Sequence, residues 1–318
     1  MTGTQSEPNQ PRLLITGAGG FTGRYVQELA LQAGFHCIAL LQPAAHGLPR
    51  RREDAAIMPG VDAVYVDLTD CDELQRVLQQ TQPDYVIHLA AIAFVAHRNT
   101  AEIYQTNVIG TVNLLDSLTE YCPAVKRIVL ASSGNIYGNA DMLPIRENHP
   151  ARPLNDYAVS KHAMECAAHI RSNTLPIVVV RPFNYTGAGQ SENFLLAKIV
   201  AAYRRSETRI KLGNLHVARD FSDVRDVAGV YLRLLNLEGP GGIYNICSGR
   251  SVPLLQIIDI MDSLAGYSMQ VDVDPALVRP NEITELYGSD AQLQARIGTW
   301  RQYELENTLH WMLTAPAA

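Results

Sequence analysis

The stretch Thr16-Gly17-Ala18-Gly19-Gly20-Phe21-Thr22-Gly23 lies between a short apolar run, Leu13–Thr16, and an amphipathic stripe of Phe21, Val26, Leu29, Ala30 and Ala33. Its pattern is G-x-x-G-x-x-G. Three glycines at fixed spacing arise by chance about 0.1 times in a chain with 22 glycines in 318 residues. A tight turn is the plain reading. The strand-before, helix-after context points to a loop whose bare backbone approaches a pyrophosphate and whose helix N-terminus offers free N–H groups.

Working outward, further apolar runs bounded by turn residues recur at Cys37–Leu41, Val61–Val66, Tyr85–Leu89, Ile128–Ser132 and Ile177–Val180. They read as strands buried on both faces. Helical patterns separate them: Leu74, Val77 and Leu78 behind the candidate caps Thr69 and Asp70, then Thr100–Tyr121 and Tyr157–Asn173. Six strands with intervening helices predict a doubly wound parallel α/β sheet. After Arg181-Pro182 the segments are shorter: a helix near Phe194–Tyr203, a strand Ile210–Leu212 and a helix near Val224–Leu237. The expected division is a loose tail over 1–10, a dinucleotide-binding domain over 11–182 and a smaller α/β substrate domain over 183–318. Parts of 220–250 are expected to pack back onto the first domain.

The end of the second strand bears on the cofactor. An acid there would bond the 2′-hydroxyl of NAD. The stretch is Ala39-Leu40-Leu41-Gln42, without an acid. Arg24 follows the last loop glycine and Arg50-Arg51-Arg52 comes soon after. Arginines suit a 2′-phosphate, so NADP(H) is expected over NAD(H). A solvated loop is the plain reading of the arginine run.

Composition excludes other classes. Apolar residues make up 47% and charged residues 18%, which excludes disorder. Net charge is −6, against a phosphate-neutralising nucleic-acid binder. The longest near-continuous apolar run, Val86–Ala96, is 11 residues, too short to span a membrane. The opening MTGTQSEPNQ has no apolar stretch of a secretory signal. Cys37, Cys71, Cys122, Cys166 and Cys247 are widely spaced, as for reduced thiols in a cytoplasmic protein. The nine histidines, His97 and His162 among them, show no metal-ligand spacing, so no metal is expected.

Tyr157 and Lys161 are four apart on a predicted helix and share a face. With 4 lysines and 14 tyrosines, Tyr-x-x-x-Lys arises by chance about 0.2 times per chain. Ser132-Ser133, ending the fifth strand, points at the same crevice. A free tyrosine titrates near about 10, and a neighbouring ammonium favours the phenolate. Tyr157 can then exchange a proton with a substrate oxygen, and Ser133 can hydrogen bond to that oxygen.

The GAGGFTG loop, SSGNIYG at 132–138 and Tyr157-Ala158-Val159-Ser160-Lys161 resemble the extended short-chain dehydrogenase/reductase superfamily, with its Rossmann fold, from Arg12 onward. His88-Leu89-Ala90-Ala91 and Asn107-Val108-Ile109-Gly110-Thr111 match further landmarks. The resemblance implies catalysis by Ser133, Tyr157 and Lys161. It implies cofactor contacts from Gly17, Gly20, Phe21, Thr22, Gly23, Arg24, Asp67, Leu68, Ala90, Tyr157 and Lys161. Asp67 and Leu68 belong near the adenine, and Lys161 also bonds the nicotinamide ribose. A homodimer through 100–121 and 157–171 is also implied.

Within that superfamily, Arg181-Pro182-Phe183-Asn184-Tyr185-Thr186-Gly187, Arg219-Asp220-Phe221-Ser222-Asp223 and Arg279-Pro280-Asn281-Glu282 are most similar to the GDP-4-dehydro-6-deoxy-D-mannose reductases. There Asn184, Arg219 and Arg279 would hold the sugar nucleotide, and arginine forks suit a diphosphate. A surface ion pair is the plain reading of each arginine. Dehydratases of the superfamily carry an acid one or two residues after the catalytic Ser/Thr. Gly134 and Asn135 stand there. Epimerising reductases carry a cysteine two residues before the tyrosine of this motif, where Asn135 stands before Tyr137. The resemblance thus implies NADPH-dependent reduction of a GDP-linked 4-keto-6-deoxyhexose to GDP-D-rhamnose. The alternatives are a 4-epimerase, a reductase of the opposite face giving GDP-6-deoxytalose, and a non-catalytic NADP-binding sensor.

Overall fold

The computed structural model describes residues 10–43, 57–93, 99–278 and 282–316. The Arg50–Arg52 run, His97 and Arg279 lie outside these residues.

The first half alternates strands and helices: β1 (Arg12–Thr16), α1 (Phe21–Gln32), β2 (His36–Leu41), β3 (Asp62–Tyr65), α2 (Cys71–Thr81) and β4 (Tyr85–His88). Then come α3 (Thr100–Tyr104), α4 (Gly110–Tyr121), β5 (Arg127–Ala131), α5 (Asp156–Arg171) and β6 (Ile177–Pro182). The second half holds β7 (Asn184–Thr186), α6 (Leu195–Arg204), β8 (Arg209–Leu212), β9 (Ala218–Arg219), β10 (Phe221–Asp223) and α7 (Val224–Leu235). It ends with β11 (Ile243–Ile246), β12 (Val252–Pro253), α8 (Leu254–Ala265), β13 (Gln270–Val273), β14 (Glu285–Leu286), α9 (Ala291–Ile297) and α10 (Leu305–Thr314).

The central sheet is parallel, in the order β11-β6-β5-β4-β1-β2-β3. It has seven strands where the sequence reading expects six. The seventh, β11, pairs Tyr244 with Val180 and Ile246 with Pro182. It arrives more than 60 residues after β6, and its four residues, IYNI, interrupt the apolar run with Asn245. The expectation that every strand is buried on both faces also fails at the edge. In β3, Asp62 and Ala63 are exposed, because among the described residues no strand pairs with that edge of the sheet.

Alternation along the strands feeds two cores. Leu13, Ile15, Val129, Val178 and Val180 pack with Val26 and Ala30 of α1 and with Tyr231 and Leu234 of α7. Leu14, Val86, Ile128, Leu130 and Val179 face Leu74, Leu78, Leu114, Leu118 and Met164 on the other side. A third core joins α6, α8 and α10 through Ile199, Val200, Ile257, Met261 and Leu309. A small fourth cluster of Ile136, Tyr137, Ile145, Phe183, Cys247 and Leu286 stands beside the end of β5.

The span 100–121 is not one uniform α-helix. Residues Gln105–Ile109 widen into a π-turn between α3 and α4. Such local widenings mark functional positions, and this one carries the buried Asn107. At the start of α2, Asp70 is the cap, accepting from the N–H of Glu73 at 3.0 Å. Thr69 instead donates to Asp67.

Candidate active site

The glycine loop is shaped by contact, not only by freedom. Gly17 has φ +68°, and a Cβ there would stand 2.7 Å from the N and 2.8 Å from the Cα of Ala90. A Cβ on Gly23 would meet the Ala18 carbonyl oxygen at 2.3 Å. The loop therefore lies flat on the Leu89–Ala90 backbone that follows β4, and α1 starts hard against it. Gly20 caps α1 without a side-chain hydrogen bond. Its first-turn N–H groups are left for an anion. A dinucleotide pyrophosphate fits this cradle.

Behind the loop runs a directed chain of buried polar groups. Ala90 N–H donates to Thr16 Oγ1 at 3.2 Å, and Thr16 Oγ1 meets His88 Nδ1 at 2.6 Å. On the other side, Thr111 Oγ1 donates to the Asn107 carbonyl at 2.8 Å and lies 2.8 Å from His88 Nε2. Each hydroxyl has one proton, so Thr16 gives its proton to Nδ1 and Nε2–H gives its own to Thr111. Burial, with the Lys161 ammonium adding to it, pushes His88 down to about 3, so the ring is neutral. Asn107 then binds both sides of Ile92, accepting from its N–H at 2.8 Å and donating to its carbonyl at 3.2 Å, and reaches Ser160 Oγ at 3.0 Å.

Asp67 and Leu68 follow β3. Asp67 Oδ1 accepts from the N–H and hydroxyl of Thr69 at 2.9 and 2.8 Å. Leu68 is buried, and its carbonyl accepts from Asn113 at 2.9 Å. Leu41, at the end of β2, is buried and Gln42 is exposed. Arg24 turns its guanidinium to the Ala188 carbonyl, 3.4 Å away, and covers Gly189.

Ser133, Tyr157 and Lys161 come together at the ends of β5 and α5, all buried. Ser133 caps the short turn Gly134–Tyr137, accepting from Asn135 N–H at 3.2 Å. Its hydroxyl also hydrogen bonds the Tyr157 phenol. Asn155 caps α5 by accepting from Ala158 N–H at 2.9 Å, which fixes Tyr157 in the first turn. Lys161 Nζ donates to the Ala131 carbonyl at 2.6 Å. The expected lowering of Tyr157 by that ammonium does not prevail here. Burial outweighs the Ser133 bond and pushes the phenol up to about 12. Burial likewise lowers Lys161 to about 8, opposed by Glu165.

Glu165 is the next residue on the same helix face and was not among the expected site residues. It accepts from Ser132 Oγ and takes Arg181 bidentately, at 2.9 and 2.7 Å. Arg181 also donates to Tyr137 Oη at 2.7 Å, and Tyr137 donates to Asn245 at 2.8 Å. The i+4 spacing after Lys161 was the available signal.

The position after Ser133 lacks an acid and is tightly surrounded. A Cβ on Gly134 would stand 3.0 Å from the Phe183 ring.

Of the expected substrate residues, Asn184 begins β7. Its Nδ2 is buried and has no hydrogen-bond partner among the described residues. A buried donor left without a partner calls for an explanation. Arg219 donates to Glu282 at 2.6 Å and to the carbonyls of Ala218 and Thr284 at 2.9 and 3.4 Å. Next to it, the buried Asp220 carboxylate accepts the N–H groups of Ser248, Gly249 and Gly288 at 2.6, 2.9 and 3.3 Å. Burial outweighs these bonds and raises Asp220 to about 6. Among the described residues no group of His, Cys, Asp and Glu could hold a metal ion, and no helix is long and apolar enough to cross a membrane.

Residues 13–247 match the model of the NAD dependent epimerase/dehydratase family. The chain is 32% identical to a GDP-6-deoxy-D-mannose reductase of Pseudomonas aeruginosa, over 95% of this chain and 96% of the relative. It is 31% identical to a GDP-6-deoxy-D-talose 4-dehydrogenase of Aggregatibacter actinomycetemcomitans, over 90% and 91%. Among solved structures, RMD from Pseudomonas aeruginosa complexed with NADPH has 31% identity and a TM-score of 0.78, over 96% of this chain and 98% of that one. A protein of Burkholderia cenocepacia, provisionally classed as an epimerase, has 41% identity and a TM-score of 0.87, over 96% and 97%. The chain belongs to the NAD dependent epimerase/dehydratase family and is an NAD(P)-dependent oxidoreductase of the extended short-chain dehydrogenase/reductase type.

Proposed function

We propose that this enzyme reduces the 4-keto group of a GDP-linked 4-keto-6-deoxyhexose with NADPH, turning GDP-4-dehydro-6-deoxy-D-mannose into GDP-D-rhamnose. The carrying observation is the buried Ser133–Tyr157–Lys161 group followed by Gly134 and Asn135, neither of them an acid. Elimination of water needs that acid. Reduction does not.

When bound, NADPH would supply the hydride for reduction at carbon 4. Gly17, Gly20, Phe21, Thr22, Gly23 and Ala90 hold the dinucleotide, with Asp67 and Leu68 toward its adenine. Tyr157 stays protonated at neutral pH because burial raises it to about 12, which suits a proton donor to the forming alkoxide. Ser133 donates to the same oxygen. Lys161 places its charge beside the site and would bond the nicotinamide ribose of the bound cofactor. Asn184, Arg219 and Arg279 bind the sugar nucleotide. Residues 11–182 serve the dinucleotide and 183–318 mainly the sugar nucleotide.

NADPH over NADH is supported by the apolar Leu41 at the end of β2 and by the NADPH complex of the reductase relative. Arg24 contributes less to that preference than the sequence suggests, because its guanidinium is engaged with Ala188. Exposed Ile109, Val159 and Ile170 on 105–121 and α5 support a homodimer through those helices. Five free cysteines fit a reducing cytoplasm.

A second reading, reduction from the opposite face to GDP-6-deoxy-D-talose, is favoured by the name of the Aggregatibacter relative. Incubation of the keto sugar nucleotide with NADPH, followed by chromatography of the two epimeric products, tests both.

A further inference from the structure

The first turns of α1 are fastened to one short segment of the second half. Thr22 Oγ1 lies 2.8 Å from Tyr185 Oη. The Phe21 ring stacks on Tyr185, with centroids 6.2 Å apart and planes 12° apart. Tyr25 Oη donates to the Ala188 carbonyl at 2.6 Å, joined by Arg24. Tyr185 follows Asn184, whose amide nitrogen is buried without a partner among the described residues. In the β7–β10 pair, Asn184 is in register with Phe221 and Tyr185 with Ser222. Arg219 and Asp220 immediately precede β10. Asn184 therefore lies on the strand pair that α1 grips, while Arg219 ends β9, two residues before β10 begins.

We propose that Tyr185 is a positioning residue that carries cofactor occupancy of the glycine loop to Asn184, so that a nucleoside diphosphate binds more tightly once the dinucleotide is in place. This rests on the reading of 16–24 as the cofactor loop and Asn184 as a sugar-nucleotide contact. An anion on the uncapped first turn of α1 orders the backbone there. Thr22 is β-branched, so an ordered backbone also fixes its side chain. Its hydroxyl and the Phe21 ring then hold Tyr185, a rigid side chain, in one place. The ordering cost of β7 is met by the first ligand and is not repeated for the second. Linkage requires the reverse effect to be equal.

The test is calorimetric titration with GDP, with and without saturating NADPH, on the wild type, Tyr185→Phe, Thr22→Val and the double variant. UDP, CDP and dTDP are titrated beside GDP, and the tightest of them is carried through. These probes lack the hexose, so hexose–nicotinamide contacts do not enter. In the wild type, NADPH should tighten binding by at least about fivefold, the low end of common couplings. Either single variant should bring that factor to within about twofold of one, and the double should equal the singles, as for one shared interaction. Tyr185→Phe removes only the hydroxyl and Thr22→Val replaces it with a methyl group of similar size, and if one melts without cooperativity the other carries the test. A wild-type factor of one, or variants that weaken nucleotide binding while keeping the factor, overturns the proposal and leaves the functional reading standing. Failure of NADPH or of every nucleoside diphosphate to bind overturns that reading and the proposal with it.

Discussion

The ammonium of Lys161 rests on the main-chain carbonyl of Ala131, 2.6 Å away. Ala131 is the last residue of β5, and Ser132 and Ser133 follow it. One hydrogen bond thus sets the lysine of α5 relative to the serine at the strand end. Tyr157, one helical turn before Lys161, is placed by the same contact. Glu165, one turn after it, balances the lysine while held by Arg181.

The buried lysine has a consequence for pH. Burial lowers Lys161 from 10.5 to about 8. It is charged below that value and loses its proton as pH rises through it. The kcat/KM profile reports groups of the enzyme before the sugar nucleotide binds, so kcat/KM should decline above a pH of about 8. A profile flat to the ordinary lysine range contradicts this. For stability the sign is opposite. Between about 8 and 10.5 the unfolded chain holds more protons at this site, so the lysine's contribution improves as pH rises.

Tyr157→Phe keeps the ring and removes the proton. Turnover of the keto sugar should fall by at least about 10²-fold, the scale of general acid–base catalysis. NADPH affinity, followed by fluorescence titration, should change little. Near-normal kcat in the variant excludes Tyr157 as the acid.

Cofactor preference should follow position 41. Wild-type kcat/KM is expected to favour NADPH over NADH, and Leu41→Asp should move the preference toward NADH, because a carboxylate there repels a 2′-phosphate and binds a 2′-hydroxyl. Comparable wild-type kcat/KM values for the two cofactors remove the argument from this residue.

Arg219 is largely buried and already paired with Glu282 at 2.6 Å. If its fork holds a diphosphate, Arg219→Gln should raise KM about tenfold to a hundredfold, from about 1.5–3 kcal/mol for a charge-assisted bond. The kcat should be largely kept, as for binding shared by ground and transition states. A large kcat loss at unchanged KM assigns the residue elsewhere.

The β1–loop–α1 unit was legible because strand, glycine spacing and helix stripe are contiguous, and local patterns are what a sequence displays. Tyr157 and Lys161 were legible for the same reason, being one turn apart. The seventh strand was not. Four residues with a central Asn245 look polar, yet Asn245 is fully buried and satisfied by Tyr137, Ile145 and Glu147 from about 100 residues away. The raised Tyr157 was equally hidden, because residue type announces an ammonium nearby but not how far water is excluded. The turn of Arg24 toward Ala188 depends on a contact across 164 residues. The π-turn at 105–109 has no glycine or proline to mark it. Asn107, with its bonds to Ile92 and Ser160, is the side chain it sets in place.

Net hydride transfer to carbon 4 is tested most directly with isotope. NADPH deuterated at the transferred position of the nicotinamide is incubated with GDP-4-dehydro-6-deoxy-D-mannose, and the product is examined by mass spectrometry and proton NMR. The expected result is one deuterium at carbon 4 and one NADPH oxidised per hexose reduced. An unlabelled 4-epimer formed without net NADPH oxidation, or formation of the keto sugar from GDP-mannose and NADP⁺, contradicts the reductase assignment.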